Sequence, residues 1–424
     1  LDEFPLDGRP LDGPDRLRGP IVLTGVGTIG AWGLGSDALA AALARGEALA
    51  SEVDLTAGYH RSAGARRACL VPSGQLGSWL SPGESRRMSP PSKLAVAASR
   101  MALRCAGLPD AGEEGTAVVV ATAFGPSSNT EALLKQILCD PESASPSLFT
   151  ESVANAPAAQ IAIAAHATGP SLTVCQREAG PLIALGRAAG EVAAGRARRA
   201  LAGSVDEMTP LLHALLDRFG ALARPCPVAG ETGEELARPF DRHRDGVLAG
   251  EGAALVVLEG EEDLARRGGR PLARLLAWGS AFDPTAPPTD WGTGSGALAR
   301  GLLRTLARAG LTAADVDLVV SGAAGSRAGD RLEARVLRAA WGGAPLPPIA
   351  VPKAVTGEYG GGLLGAAVLA AAGSPPGPTP GFAEPDPELG VAPHDGSPLP
   401  PPATVLVTSL AAGGAAAWLV LGRP

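Results

Sequence analysis

The chain has 424 residues, a formal net charge of −7, 57 glycines, 39 prolines, 4% aromatic and 19% charged residues. Such a length buries a large core, here filled mostly by Ala, Val and Leu, and the balance is globular, not disordered. A negative chain without a dense Lys/Arg block excludes nucleic acid and an anionic membrane surface as expected partners.

Leu1 to Pro20 is polar and broken by proline, so residues 1–20 are expected to form an N-terminal tail and not a signal peptide. The apolar strand that starts at Ile21 to Thr24 runs into GVGTIG, Gly25 to Gly30. Those letters match a dinucleotide fingerprint. The next helix, however, opens only near Ser36-Asp37, too late to offer its N-terminus to a phosphate, so a plain glycine turn without cofactor is expected.

A repeat follows. SRMALRCAGL (Ser99 to Leu108) reads as a helix before the strand VVVATAFG (Val118 to Gly125), with a further helix from about Thr130. RGLLRTLARAGL (Arg300 to Leu311), LVVSGAAG (Leu318 to Gly325) and a helix from about Asp330 repeat that order, and the strands lie 318 − 118 = 200 residues apart. Two copies predict duplicated α/β halves, over 21–265 and 266–424, each a mainly parallel sheet covered by helices.

Between the copies stands SLTVCQREAGPLIALG, Ser171 to Gly186. Ser171 to Val174 reads as a buried strand, Cys175 to Gly180 as a tight polar turn, and Pro181 as the first residue of a helix. A turn of this kind aims Glu178 at a helix N-terminus, where enzymes often place a nucleophile. Arg199 to Gly203, Gly252 to Leu258 and Ala273 to Gly279 are further strands. The proline-rich Gly373 to Pro402 is expected as a long surface connection, and Thr404 to Leu421 as two buried strands around a turn. No apolar run reaches the length of a membrane span.

The five cysteines (Cys69, Cys105, Cys139, Cys175 and Cys226) are widely spaced without a C-x-x-C pair. Reduced core thiols of a cytoplasmic protein are the expectation. The five histidines (His60, His166, His213, His243 and His394) lack ligand spacing, so no metal is expected.

In order along the chain, IVLTGVGTIG, SPSLFTESVANAPAAQIAIAAHATGPS, RPFDRHRDGVLAGEGAALVVLE, Gly329-Asp330, VPKAVTGEYGGG and SLAAGGAAAW resemble landmarks of the β-ketoacyl synthases. The likeness spans roughly Ile21 to Gly422 and implies a thiolase-like fold of duplicated halves in αβαβα layers. It also implies a cysteine that holds the acyl chain and two histidines that promote decarboxylation of a malonyl unit. Matched residue by residue, the cysteine position falls on Glu178, the first histidine on Gly322 and the second on Glu358. Lys353 and Gly413-Gly414 are retained, and the bulky residue before those glycines is Ala412.

An acyl group on Glu178 would be a mixed anhydride, higher in energy than the thioester it came from, and Gly322 offers no donor to an oxyanion. No independent condensing activity is therefore expected. Glu178 has three readings. It accepts amide hydrogen bonds of its turn and catalyses nothing. It pairs with Glu358 in one cavity as acid and base, in a carrier-dependent decarboxylase, dehydratase or cyclase. Or Cys175 serves as a displaced nucleophile, against the plainer state of an inert buried thiol.

Lys353 is expected to bond the Glu358 loop or cap a helix, and Arg177 to lie beside Glu178 while pointing away. Asp330 and Glu251 are expected to hold backbone turns, with His166 and His243 structural. The pattern is most similar to the chain-length factors of type II polyketide synthases. That resemblance implies a non-condensing subunit that pairs with an intact ketosynthase and meets acyl carrier protein through the complex. Phe149, Val153 and Asn155, with Ala412, are the expected interface and tunnel residues, and small Ala154, Ala156 and Ala158 would leave room.

Overall fold

The computed structural model describes residues 19–424 except 63, 111 and 226–232. Cys226 and residues 1–18 of the expected tail lie outside the described residues. Ten strands form the path of the main sheet: β1 (Ile21–Gly30), β2 (Thr116–Ala121), β3 (Ser171–Val174), β4 (Arg199–Asp206), β5 (Gly252–Gly260), β6 (Ala273–Phe282), β7 (Leu318–Val320), β8 (Ile349–Ala350), β9 (Thr404–Leu410) and β10 (Ala415–Gly422). The helices that matter here are α1 (Ser36–Arg45), α2 (Pro90–Cys105), α3 (Ser127–Cys139), α4 (Pro146–Thr150), α5 (Ala156–Ala164), α6 (Gly180–Ala193), α7 (Pro210–Arg218), α8 (Ser295–Arg308), α9 (Arg327–Trp341) and α10 (Gly360–Ala371).

The inner strands of the first half are apolar on both faces. Along β2, Val118 and Val120 join one core cluster while Val119 and Ala121 join another. That is the two-residue period of a strand covered on both sides. The order across the sheet is β8-β7-β9-β10-β6-β1-β5-β4-β2-β3. Read outward from the β6/β1 junction, each half places its first, fifth, fourth, second and third strand in turn, which is the duplication expected from the repeat. The junction itself is short, from Ile21↔Leu275 to Leu23↔Ala273.

Three core clusters separate the layers. One holds α2 and α5 against the first half, through Leu94, Met101 and Ile161. A central one joins both halves through α6 and α10, with Leu182, Leu185, Leu363 and Leu364. The third packs α8 and α9 on the second half, through Leu302 and Leu337. Every residue of α10 is buried, as an all-apolar helix between two sheets must be.

Several expectations need correction. The sheet is mixed, because β2/β3, β2/β4, β7/β8 and β7/β9 are parallel whereas β1/β5, β4/β5, β1/β6, β6/β10 and β9/β10 are antiparallel. The last strand of each half returns beside the fourth, and parallel pairing stops there. GVGTIG is not a turn; β1 runs through it to Gly30. A Cβ at Gly25 or Gly27 would lie 2.1 Å from the carbonyl of Ala102 or Ala98, so these glycines let α2 rest on the strand backbone.

Ser171 to Val174 is a strand, but it ends the sheet and is not buried: Leu172 is 41% exposed. Of the described cysteines only Cys69 is buried, while Cys105, Cys139 and Cys175 are exposed. Cys105 and Cys139 close their helices, and Cys175 follows the edge strand. The proline-rich connection has no strand or helix of its own, yet it is stitched down. Asp241 accepts the amides of Ala383 and Glu384 at 2.8 and 2.7 Å, and Arg244 meets Asp386 at 2.7 Å. Among the described residues no helix is long and apolar enough to cross a membrane.

Candidate functional site

The matched positions converge where α6 and α10 begin. Gly360 packs so closely on the first turn of α6 that a Cβ there would lie 2.0 Å from Pro181 Cγ. Glu178 sits in a single 3-10 turn, Arg177–Ala179, between β3 and α6. Arg177 adopts φ 43°, a left-handed conformation that costs about 1–2 kcal/mol in a residue with a side chain. Two contacts tie the turn to the end of β9 and to the β9–β10 connection. Ser409 Oγ donates to the Glu178 carbonyl at 2.6 Å, and Arg177 reaches the carbonyl of Ala412 at 3.5 Å. Arg177 thus points out, as expected, and Ala412 is brought beside the turn that carries Glu178.

Glu358 stands just before α10, its amide donating to the Leu248 carbonyl at 2.6 Å. Lys353, wholly buried, places Nζ 2.7 Å from Glu358 Oε1. Of the two expected roles for Lys353, the bond to Glu358 is the one present. A buried ammonium needs such a partner.

Glu178 differs from its first reading. Its Oε2 is buried without a partner among the described residues, although the residue as a whole is half-buried. It does not gather the amides of the helix start; its own is the one amide that favours the charged form. Burial first, and then the charge of Glu358, raise its pKa to about 7, against smaller pulls from Lys353 and Arg177. The two carboxyl groups therefore do share one region, with an ion pair on one side and a proton near neutral pH on the other.

Gly322 follows β7 and is closed to any side chain. A Cβ there would lie 2.8 Å from the Thr408 carbonyl and 3.1 Å from Ser409 Oγ. Behind it, Ser321 Oγ donates to buried Glu333 at 2.7 Å, and Thr408 donates to the same oxygen. Burial raises the Glu333 pKa.

Sequence reasoning passed over two acids here. Glu333 lies one helical turn after Asp330 in GDRLEA, a spacing that marks a shared face. Asp206 ends β4, accepts Thr122 Oγ1 at 3.0 Å and the Ala123 amide at 2.7 Å, and is raised to about 6, chiefly by burial. The paired acids of GSVDE were its signal.

Asp330 and Glu251 hold turns as expected. Asp330 accepts the amides of Phe240, Ala324 and Gly325, and burial lifts it to about 7. Glu251 accepts those of Val71 and Met208. Cys175 is not the buried thiol expected, and its pKa is raised, so it has little of the thiolate that attack requires. Phe149 is 61% exposed and Asn155 exposed, with Val153 half-buried, whereas Ala156 and Ala158 point into the chain's own core. Ala154 is half-buried against Gly125. No group of three or more His, Cys, Asp or Glu able to hold a metal occurs among the described residues.

The family model for the β-ketoacyl synthase N-terminal domain matches residues 18–264, and that for the C-terminal domain matches residues 273–372. A 3-oxoacyl-[acyl-carrier-protein] synthase 2 of Rhizobium meliloti (strain 1021) is 31% identical over 316 residues, 70% of this chain and 72% of that protein. The solved ishigamide ketosynthase/chain length factor superposes with a TM-score of 0.84 at 30% identity, over 96% of this chain and 100% of that one. A type II polyketide synthase ketosynthase, solved with its acyl-carrier protein and a hexaketide, shares the fold with a TM-score of 0.83 at 22% identity, over 96% and 99%. Both domain matches, in the order the duplicated sheet requires, place this chain in the β-ketoacyl synthase family.

Proposed function

We propose that this chain is a non-condensing subunit that pairs with an intact ketosynthase and shapes the tunnel for its growing acyl or polyketide chain, in the manner of a chain-length factor. The observation that carries the reading is an open apolar face beside a site without a nucleophile. β3 ends the sheet with its outer edge unpaired among the described residues, and α3 and α4 bury none of their side chains. Leu138 is 82% exposed and Phe149 61%. Apolar surface of that kind next to a strand edge suits a protein partner. Acyl carrier protein would then meet this chain through the pair, and Phe149, Val153 and Asn155 would belong to the contact.

The test is coexpression with an intact ketosynthase, followed by sizing and product analysis. A one-to-one complex is expected, lost in the Leu134→Asp/Leu138→Asp variant without loss of the chain's own fold, and Phe149→Ala should change product length. A chain that condenses alone would sink the reading.

A second reading rests on the Glu178 proton. A carboxyl near pKa 7 beside a Lys353-held carboxylate is an acid and a base in one place. A decarboxylase, dehydratase or cyclase acting on carrier-bound chains would use it, and turnover by the isolated chain would vanish in Glu178→Gln.

A further inference from the structure

Strand β6 is covered by β1 only over Ala273 to Leu275, and after a bulge at Leu276 it pairs with β10 alone from Ala277 to Phe282. The carbonyl of Trp278 accepts Arg308 Nη1 at 3.0 Å, which shows that this peptide faces away from β10. By the alternation of antiparallel pairing, Ser280 and Phe282 turn their backbone groups to the same open side. That edge floors a groove of about 610 Å³ between α6 and the end of α8, lined among others by Arg187, Gly190, Arg196, Trp278, Ser280 and Arg308.

The wall is cut low where it needs to be. A Cβ at Gly186 would press on Trp278 at 2.4 Å, while Gly190 faces open space. The rim is positive: Glu191, its one acid, is bound by Arg196 at 2.6 Å and 2.9 Å. Exposed Arg187 and Arg308 flank it, on a chain whose net charge is −7.

We propose that this groove binds an acidic peptide segment in extended conformation, added as a strand to the open edge of β6. Main-chain bonds to Ser280 and Phe282 would set the register, with Glu or Asp side chains reaching the arginine rim. Five residues, Trp278 to Phe282, span about 16 Å at the usual strand rise, room for a short strand. The surface lies apart from β3, which is at the far end of the sheet.

The probe is fluorophore-labelled acetyl-Glu-Val-Glu-Val-Glu-amide, titrated onto the full chain by anisotropy, with amide hydrogen exchange over residues 276–282 read in parallel. Binding should slow exchange at Ser280 and Phe282. Arg187→Glu, at an exposed position that leaves the fold intact, should weaken binding about tenfold. The Lys-Val-Lys-Val-Lys counterpart should not bind. No binding, binding without protection of 276–282, or equal affinity of Arg187→Glu would each overturn the proposal. So would protection that rises with protein concentration in the absence of peptide, since a second copy would then be the occupant.

Discussion

Helices α3 and α9 follow corresponding strands of the two halves, yet one is bare and the other sunk in the core. Helix α9 opens with a Ser326 cap and buries nine residues, among them Leu337 and Trp341, against α8 and the sheet. Helix α3 buries none, meets mainly α4, and leaves Leu134, Ile137 and Leu138 exposed. A duplicated unit thus supplies the same strand and helix twice, but only one copy finds its apolar cover among the described residues.

The largest expected effect tests that contrast directly. Leu337→Ala should cost about 2–5 kcal/mol, because a fully buried leucine leaves a cavity. Leu138→Ala in the isolated chain should stay within about 0.5 kcal/mol. Denaturant unfolding of both variants measures this, and equal losses would break the comparison.

The next effect concerns the site between the halves. The Glu178 pKa in the folded chain, about 7, lies above its ordinary value of 4.5, so folding favours its proton. The stability that proton gives is full below the ordinary pKa and is lost as pH rises through 7. Glu178→Gln should match the parent near pH 4.5 and exceed it by about 3 kcal/mol at pH 8. Asp206 and Asp330 also titrate upward, but they are common to both proteins and cancel in the difference. A difference that does not change with pH would contradict the buried, proton-bearing Glu178.

The smallest effect sharpens the duplication itself. Gly125 and Gly325 stand 325 − 125 = 200 residues apart, and both have positive φ, 66° and 96°. A Cβ at Gly325 would lie 2.5 Å from the Gly246 carbonyl, whereas at Gly125 the nearest atom is Ala154 Cα at 3.3 Å. Alanine should cost about 2 kcal/mol at Gly325 and about 1 kcal/mol at Gly125, measured by thermal unfolding.

Much of the fold was legible, because strand and helix periods are local properties. The helix–strand–helix copies, the strands after Arg199, Gly252 and Ala273, and the hairpin of Thr404 to Leu421 all appear where the pattern put them. The mixed pairing was not legible, since β4 and β5 become neighbours only through the whole half. GVGTIG misled for a related reason. Glycine marks close approach as well as turning, and α2, which approaches, lies far along the chain.

At the site, the letters alone supplied the expectation, through the resemblance, that Glu178, Gly322 and Glu358 take the positions of sulfur and imidazole, and they determined the duplication. The tertiary structure decided the rest: that Glu178 is left with no amide but its own to hold its charge, that Lys353 serves Glu358, that Asp206 and Glu333 crowd the same region, and that β3 and α3 face outward. Each of these depends on which distant segments exclude water from a given atom. Burial and partnership arise from long-range pairing, and residue order specifies them only through the folded chain.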